Sequence, residues 1–286
     1  MPSGVRPLCV TGLFLVVAIA AGAAGSSAEG TASGTFVSGE KNVPVGGAYA
    51  FWAKSDSPDE DAVIRVAVSN DRFQAAAFDA FSDPQPLLSE RFADDETQVV
   101  YFEFQPDGRY HGLSYYFGQG NGCGYCYDSS VKSTAKIERG RLQGNLQFKD
   151  ERRSFNIRLD VPVPPREWGK PLPAGGGEIG KAFLAYQKAL ESRDKKTIYD
   201  LIVSSQHDRW KQREAEGKLD RHIEYRWEKE HLSLTEPRIT GGFVRDDQAV
   251  LLIKGKNPYM SLHGQVALTR EEGQWRIRDE IYEVGE

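Results

Sequence analysis

The sequence has little cysteine and no apolar run long enough to cross a membrane. Only three cysteines occur in 286 residues, and Cys9 lies close to the start. The apolar run at residues 13–20 has roughly half of the ~20 residues that a membrane-spanning helix needs, and nothing later approaches that length. We therefore expect no membrane span once the N-terminal segment is removed.

The sequence also lacks the patterns of several catalytic and cofactor-binding classes. No phosphate-binding loop and no nucleophile constellation is present, and there is no second cysteine pair to complete a tetrahedral zinc site with His111. Tyr127 stands where a haem-attachment motif needs histidine. His222 and His231 are too far apart to share a helix face as an i, i+4 metal pair does, and we interpret them, with Glu228, as surface residues. The sequence predicts no cofactor and no metal.

Basic charge is not in excess either. The formal net charge is −5, and loss of an N-terminal segment containing Arg6 would make it one unit more negative. A mildly acidic balance makes nucleic acid a poor candidate partner. We expect a protein or small-molecule partner.

The first 28 residues have the pattern of an export signal. Arg6 precedes the apolar run, and small residues fill positions 21–28. Cleavage after Ala24 and after Ala28 fits the small-x-small rule about equally well, and Ala28 is preferred because Ser26 and Ala28 flank that position. Cys9 precedes the apolar run, which argues against a lipid anchor. The protein is therefore expected in the periplasm or outside the cell, with a eukaryotic secretory route left open.

Proline and glycine divide the rest of the chain. Residues 162–177 contain five prolines and then three consecutive glycines, which is typical of an interdomain linker. This boundary predicts a β-rich domain at 29–161 and a second domain at 178–286. Trp168 lies inside the linker, and we expect it to pack back onto one of the flanking domains.

The first half alternates apolar and polar residues with a period of two. Val100, Phe102 and Phe104 share one face of a strand, and residues 155–161 repeat the pattern. Eight or so short strands separated by turn signals predict a sandwich or barrel.

The second half changes to helical spacing. Ile179, Phe183, Tyr186 and Leu190 predict one helix, and two more are predicted before residue 231. Four antiparallel strands follow. The predicted class is α+β, with the helices packed on a curved sheet that forms a half-open cone.

The last hairpin carries a resemblance. Residues 178–284 resemble the NTF2-like (cystatin-like α+β) superfamily, particularly its exported bacterial members, on the matching residues Val266, Leu268, Glu272, Gly273, Trp275, Ile277 and Asp279 and the helix opening at residues 180–183. The resemblance implies the cone fold. Because the superfamily includes isomerases, dehydratases and partner-binding modules, it does not imply one activity.

The remaining two cysteines are three positions apart in a glycine-rich segment. In an oxidising compartment, Cys123 and Cys126 are predicted to form a disulfide that staples this loop. A redox role is a weaker alternative, because a β-rich setting offers no helix N-terminus to lower a thiol pKa.

Aromatic residues crowd the same segment. Tyr116, Tyr125 and Tyr127 lie among glycines, as in contact surfaces for carbohydrate or protein. The competing interpretation is that the aromatic residues of the preceding strand face the core.

The predicted cone offers a second candidate site. Its pocket would be lined by aromatic and histidine side chains: Tyr199, His207, Trp210, Tyr225, Tyr259, His263 and Trp275. An enzyme of this shape would hold a base in an apolar cavity, and the available bases are Asp200, Asp208, His207 and His263.

These patterns favour an exported, non-enzymatic binding or interaction protein whose ligand is not identified. An isomerase- or dehydratase-type enzyme acting in the cone pocket is the alternative. The thiol-disulfide role is weaker still.

Overall fold

Strands dominate the structure. The computed structural model describes residues 30–38, 41–54, 62–91, 98–117, 121–126, 130–151, 153–228, 234–256 and 260–284, with only the backbone described at 38, 41, 89–91, 115–117, 121–126, 225–228, 235 and 284. About half of these residues are in strands and under a quarter in helices.

The N-terminal half contains two antiparallel sheets. The first has the order β3-β4-β5-β6-β7 and consists of β3 (Gly47–Ala53), β4 (Val63–Ser69), β5 (Val99–Phe104), β6 (Tyr110–Phe117) and β7 (Asn121–Cys126). The second has the order β2-β1-β11-β10-β8, with β9 also paired to β10. Its strands are β1 (Thr31–Ser38), β2 (Lys41–Pro44), β8 (Lys132–Ser133), β9 (Lys136–Glu138), β10 (Arg141–Lys149) and β11 (Arg153–Pro162).

The two sheets pack face to face around one apolar core. Alternate residues of β4 and β5, including Val66 and Phe102, meet alternate residues of β10 and β11, including Leu146 and Phe155. Phe155 stacks on Phe36 and meets the edge of Phe102. Since side chains alternate across a strand, the opposite face of the first sheet is free to pack against another element.

That opposite face is covered by the connection between β4 and β5. This connection contains α1 (Ala75–Phe78) and α2 (Gln85–Arg91). Phe78 and Leu88 are fully buried against Tyr49, Phe51 and Tyr101 of the sheet.

The C-terminal half contains a third antiparallel sheet and four helices. The sheet has the order β12-β13-β14-β15-β16, formed by β12 (Lys170–Leu172), β13 (Thr235–Arg245), β14 (Gln248–Lys256), β15 (Ser261–Glu271) and β16 (Gln274–Val284). The helices are α3 (Gly177–Glu191), α4 (Lys195–Leu201), α5 (Ser204–Ala215) and α6 (Leu219–Glu228). Among the described residues, no helix has the length and apolar character to cross a membrane.

Close approach and tight turns set the shape of this half. A Cβ atom at Gly180 would lie 2.0 Å from the carbonyl oxygen of Gly175, so only glycine lets the start of α3 lie there. The β15–β16 turn has positive φ at Glu272 (52°) and Gly273 (82°), the backbone of a tight two-residue hairpin.

The third sheet buries both of its faces. Val266, Leu268 and Ile277 lie in the apolar cluster with Phe183 and Tyr186 of α3. On the other face, Ala267 and Ile281 pack against Ala80 and Phe81, which follow α1. The segment between α1 and α2 is therefore wedged between the first and third sheets.

The predicted α+β class with an NTF2-like cone is wrong. The structure contains three antiparallel sheets and few helices, which makes it a β-rich fold. The helical spacing of residues 179–190 does correspond to a helix, α3. In the structure that helix is one covering layer on a sheet of five strands.

The proline- and glycine-rich segment is partly ordered secondary structure. β11 ends at Pro162, and residues 170–172 form β12, which pairs with residues 242–244 of β13. Residues 163–169, here called the strap, connect the second sheet to the third. The predicted signal segment, residues 1–28, lies outside the described residues.

Candidate functional site

A small groove lies where the strap, the first sheet and the third sheet meet. Its cavity measures about 50 Å³, room for about two water molecules at ~30 Å³ each. We call it the junction groove. It is lined by residues of β3, the α1–α2 connection, the strap and β13: Tyr49, Phe51, Trp52, Asp79, Phe81, Ser82, Pro84, Pro164, Pro165, Arg166, Trp168 and Arg245.

Trp52 forms one wall of the junction groove. It is half-buried near the end of β3, and its Nε1–H donates a hydrogen bond of 2.8 Å to the carbonyl oxygen of Pro164. The guanidinium of Arg166 lies over the Trp52 ring, 5.7 Å from the ring centre. Arg166 is exposed, so this cation–π contact holds a charged group at the groove rim without burying it.

Trp168 forms a second wall. Its Nε1–H donates to the carbonyl oxygen of Asp79 at 3.2 Å, and the guanidinium of Arg245 lies over its ring at 4.6 Å. Arg245 also donates to the side-chain oxygen of Gln248 at 2.9 Å and, at 3.4 Å, to the carbonyl oxygen of Asp79. The strap is thus tied to the first sheet at Trp52 and to the third at Trp168.

Asp79 and Tyr49 supply the polar floor. The Tyr49 hydroxyl donates a hydrogen bond of 2.8 Å to Oδ1 of Asp79. Burial, and next the carboxylate of Asp79, raise the pKa of Tyr49 well above its usual value, since both disfavour a phenolate. Tyr49 therefore stays a neutral donor at physiological pH.

Gln265 fixes the turn that bears the groove floor. This β15 side chain is 7% exposed, and its oxygen accepts from the Ser82 amide (3.1 Å), the Ser82 hydroxyl (2.6 Å) and the Asp83 amide (3.1 Å). Its amide group donates to the carbonyl oxygen of Asp83 at 2.7 Å. One side chain of the third sheet therefore bonds three backbone groups and one hydroxyl of this turn.

The far side of the same turn is held by a buried charge pair. Arg65 of β4 donates through Nε (2.9 Å) and Nη2 to one oxygen of Glu103, which is fully buried on β5. The Nη1 of Arg65 donates to Gln85 at the start of α2 at 2.9 Å. Asp83 accepts a hydrogen bond of 3.0 Å from the Gln85 amide. Although Asp83 is exposed, the surrounding protein desolvates its carboxyl and raises the pKa of Asp83, against the lowering effect of that amide.

The groove carries more positive than negative charge. Its lining contains two arginines and one carboxylate, Asp79. Within the part of the chain that the structure describes, neither Arg166 nor Arg245 has a carboxylate at ion-pairing distance. The N–H groups of guanidinium lie in its plane, so stacking on a ring leaves them accessible from the side.

A wider depression lies on the outer face of the second sheet. It measures about 700 Å³ and is lined by Glu138, Arg139, Arg141 and Gln143. Arg141 is already paired with Asp160 at 2.6 Å, and Gln143 donates to the same carboxylate at 3.0 Å. Because the lining residues are polar and two of them are already bonded to Asp160, we regard this depression as an ordinary solvated sheet face and the junction groove as the better candidate.

The structure brings together some of the residues proposed to line the cone pocket. Tyr199, His207 and Trp210 meet edge to face, and Trp210 is 2% exposed. His222 also meets Trp210 edge to face, and its Nε2 accepts a hydrogen bond of 2.8 Å from Arg213. The Nε2 of His207 bonds the carbonyl oxygen of Tyr199 at 2.9 Å. This cluster packs α4, α5 and α6 together.

His263 lies on the opposite face of the third sheet from that cluster. Because Leu262 faces the helices, the next residue along β15 faces away from them. Its side chain is half exposed, 3.5 Å from the carboxylate of Glu283. Asp200 and Asp208 are both exposed. None of the four candidate bases therefore lies in an apolar cavity.

The remaining predicted residues are described only in part. Tyr116 lies on β6, Tyr125, Cys123 and Cys126 on β7, and Tyr225 on α6, but none of their side chains is described. Tyr127, Tyr259 and His231 lie outside the described residues. The disulfide stays a prediction.

Sequence reasoning missed most of the junction groove. Trp168 was the available signal, since a tryptophan in a linker needs an apolar partner. Nothing in the local pattern of Asp79 or Arg245 links them, because 166 residues separate them in the chain. Among the described residues, no group of three or more histidine, cysteine, aspartate or glutamate side chains could hold a metal ion.

Comparison with protein-family models, with curated proteins and with solved structures finds no match to this chain.

Proposed function

We propose that this chain is an exported, non-enzymatic binding protein of the cell envelope and that its ligand binds in the junction groove. The observation that carries the proposal is the pair of tryptophan walls, each bearing an arginine, around a small cavity. Tryptophan and arginine are among the residues enriched where binding energy is concentrated. Concave sites with aromatic walls and a few placed polar groups are also the usual form of ligand sites.

The polar groups of the groove support binding rather than reaction. Asp79 accepts from Tyr49, and both indole N–H groups are bonded to backbone carbonyls. Among the described residues, the groove lining contains no cysteine, histidine or lysine to serve as a nucleophile or as a base near neutral pH, and the hydroxyl of Ser82 is bonded to Gln265. The groups present orient a ligand and recognise its charge.

Tryptophan fluorescence tests the binding proposal. The chain contains five tryptophans, and a ligand entering the groove would alter the emission of Trp168. We would titrate amino acids, monosaccharides, nucleotides and short peptides at millimolar concentration into the wild type, Trp168→Phe and Trp275→Phe. Trp275 is half-buried on β16 and serves as the matched control.

The expected result is a saturable change that is kept in Trp275→Phe and reduced in Trp168→Phe. A panel without any saturable change, or a change of equal size in both variants, would contradict the proposal.

Export is tested separately by the N-terminus of the protein recovered from cell fractions. A chain beginning after Ala28 or Ala24, found outside the cytoplasm, would support export. A full-length chain retained in the cytoplasm would overturn it.

A further inference from the structure

The charge and size of the junction groove restrict what it can hold. Arg166 and Arg245 face no carboxylate at ion-pairing distance within the described residues, although the whole chain is acidic with a net charge of −5. Each guanidinium lies over an indole ring, with its central carbon 5.7 Å from the ring centre for Arg166 and 4.6 Å for Arg245. A guanidinium is planar and offers parallel N–H donors, which match the two oxygens of a carboxylate.

The groove lining has a formal charge of one positive unit, from two arginines and Asp79. That balance fits a monoanion. A phosphate monoester carries roughly one and a half to two negative charges near pH 7. That is more negative charge than the lining balances, and the excess would be repelled by the carboxylate of Asp79.

The cavity of about 50 Å³ admits a head group and not a whole ligand. The remainder of the ligand must therefore lie at the rim. There Pro165 is exposed and Trp52 and Trp168 are half-buried, so the rim offers flat apolar surface next to the charged groups. A ring is the shape that best covers such surface.

From these contacts we propose that the junction groove binds a small ring-bearing monocarboxylic acid, with the carboxylate held by Arg166 and Arg245 and the ring lying on the tryptophan rim. This inference rests on the proposed function and gives its ligand class. The Asp79 carbonyl and Gln248, which accept from Arg245 at 3.4 and 2.9 Å, keep that guanidinium in place before the acid arrives.

The test measures binding of matched ligands by calorimetry to the full chain. The ligand pairs are glucuronate with glucose and benzoate with benzamide, so that each acid has a neutral partner of similar shape, and glucose 6-phosphate supplies the dianion. We expect at least one acid to bind about ten- to a hundred-fold more tightly than its neutral partner, the range that one charge-assisted hydrogen-bond pair supplies. The dianion should bind more weakly than that acid.

The protein variants are Arg166→Gln, Arg245→Gln and, as the matched control, Arg158→Gln. Arg158 is exposed on β11 and lies outside the groove lining, so its loss changes the net charge equally. Both groove variants should lose the preference for the acid, and Arg158→Gln should keep it. Circular dichroism melting of each variant separates loss of binding from loss of folding.

Equal binding of the acid and its neutral partner, or a preference for the acid that survives in both groove variants, would overturn the inference. So would the absence of binding by either acid. If a neutral compound still gave the Trp168-dependent fluorescence change, the proposed function would stand and only the ligand class would fall. If no compound gave that change, both would fall.

Discussion

Replacing Gln265 by alanine should loosen the contact between the third sheet and the α1–α2 turn. Four hydrogen bonds end on this side chain, three accepted from Ser82 and Asp83 and one donated to the Asp83 carbonyl. Each is worth about 0.5–1.5 kcal/mol net. Because Ser82 is half-buried and Asp83 exposed, water can replace part of what is lost, and we expect the free energy of unfolding to fall by about 2–4 kcal/mol.

Gln265→Glu separates the acceptor from the donor. A carboxylate keeps the oxygen that Ser82 and Asp83 donate to, but it faces the Asp83 carbonyl oxygen without a proton to share. A protonated carboxyl would restore that donor. At neutral pH the variant should therefore keep the three accepted bonds and lose only the donated one, so its loss of stability should be smaller than that of Gln265→Ala.

His263→Ala is the matched control. His263 lies on the same strand and face two residues earlier, but it is half exposed and its pairing with Glu283 is a surface contact. We expect a change within about 0.5 kcal/mol.

Urea unfolding gives the free energies, and hydrogen exchange reports the Ser82 and Asp83 amides directly. In Gln265→Ala both amides should lose protection while the amides of β14 keep theirs. A loss of stability no larger than that of His263→Ala, or unchanged protection at Ser82 and Asp83, would refute the role assigned to Gln265.

Three further predictions concern the groove, the charge pair beneath it and the cysteines. Tyr49→Phe should cost about 1 kcal/mol at neutral pH, because the hydrogen bond to Asp79 is lost. Because the folded pKa of Tyr49 is raised above about 10, the stability of the wild type should fall as the pH rises past that value. Chemical unfolding at alkaline pH should show a shallower fall for the variant, and equal slopes would contradict this. Arg65→Met or Glu103→Leu alone should cost about 3–5 kcal/mol by leaving a buried charge unpaired, whereas the double variant should recover most of it in denaturant titrations; additive losses would contradict this. Mass spectrometry of the exported protein should find that Cys123 and Cys126 are alkylated only after a reductant is added. Alkylation without reductant would count against the disulfide.

The sequence predicted individual strands better than it predicted their assembly. The alternation at residues 99–104 and 155–161 corresponds to β5 and to most of β11, because alternating burial is a local consequence of strand geometry. The α+β cone was wrong because the helical spacing of residues 179–190 says that one face is buried but not what share of the fold the covering helices form.

The site was harder to predict than the strands because it is assembled from distant segments. Trp52 lies near the end of β3 and Arg245 at the end of β13, and neither strand pattern marks its residue as part of a site. Both become groove residues only when the strap passes between the first and third sheets. No local periodicity encodes that meeting, which depends on the turn at Ser82 and Asp83 and on the single side chain of Gln265 that holds it.

The same geometry links the groove to the stability of the whole molecule. Asp79 and Ser82 line the groove, and Ser82 is also the residue that Gln265 anchors to the third sheet. Asp79 lies three residues before Ser82, and its carbonyl accepts from both Trp168 and Arg245. A change that releases Ser82 should therefore move the Asp79 carbonyl away from these two side chains. Ligand binding should in turn stabilise the folded chain by RT ln(1 + [L]/Kd), and this gain should shrink in Gln265→Ala, because part of the binding energy must then reorder the turn. An equal ligand-induced rise in melting temperature in both proteins would show that the groove forms independently of the Gln265 contact.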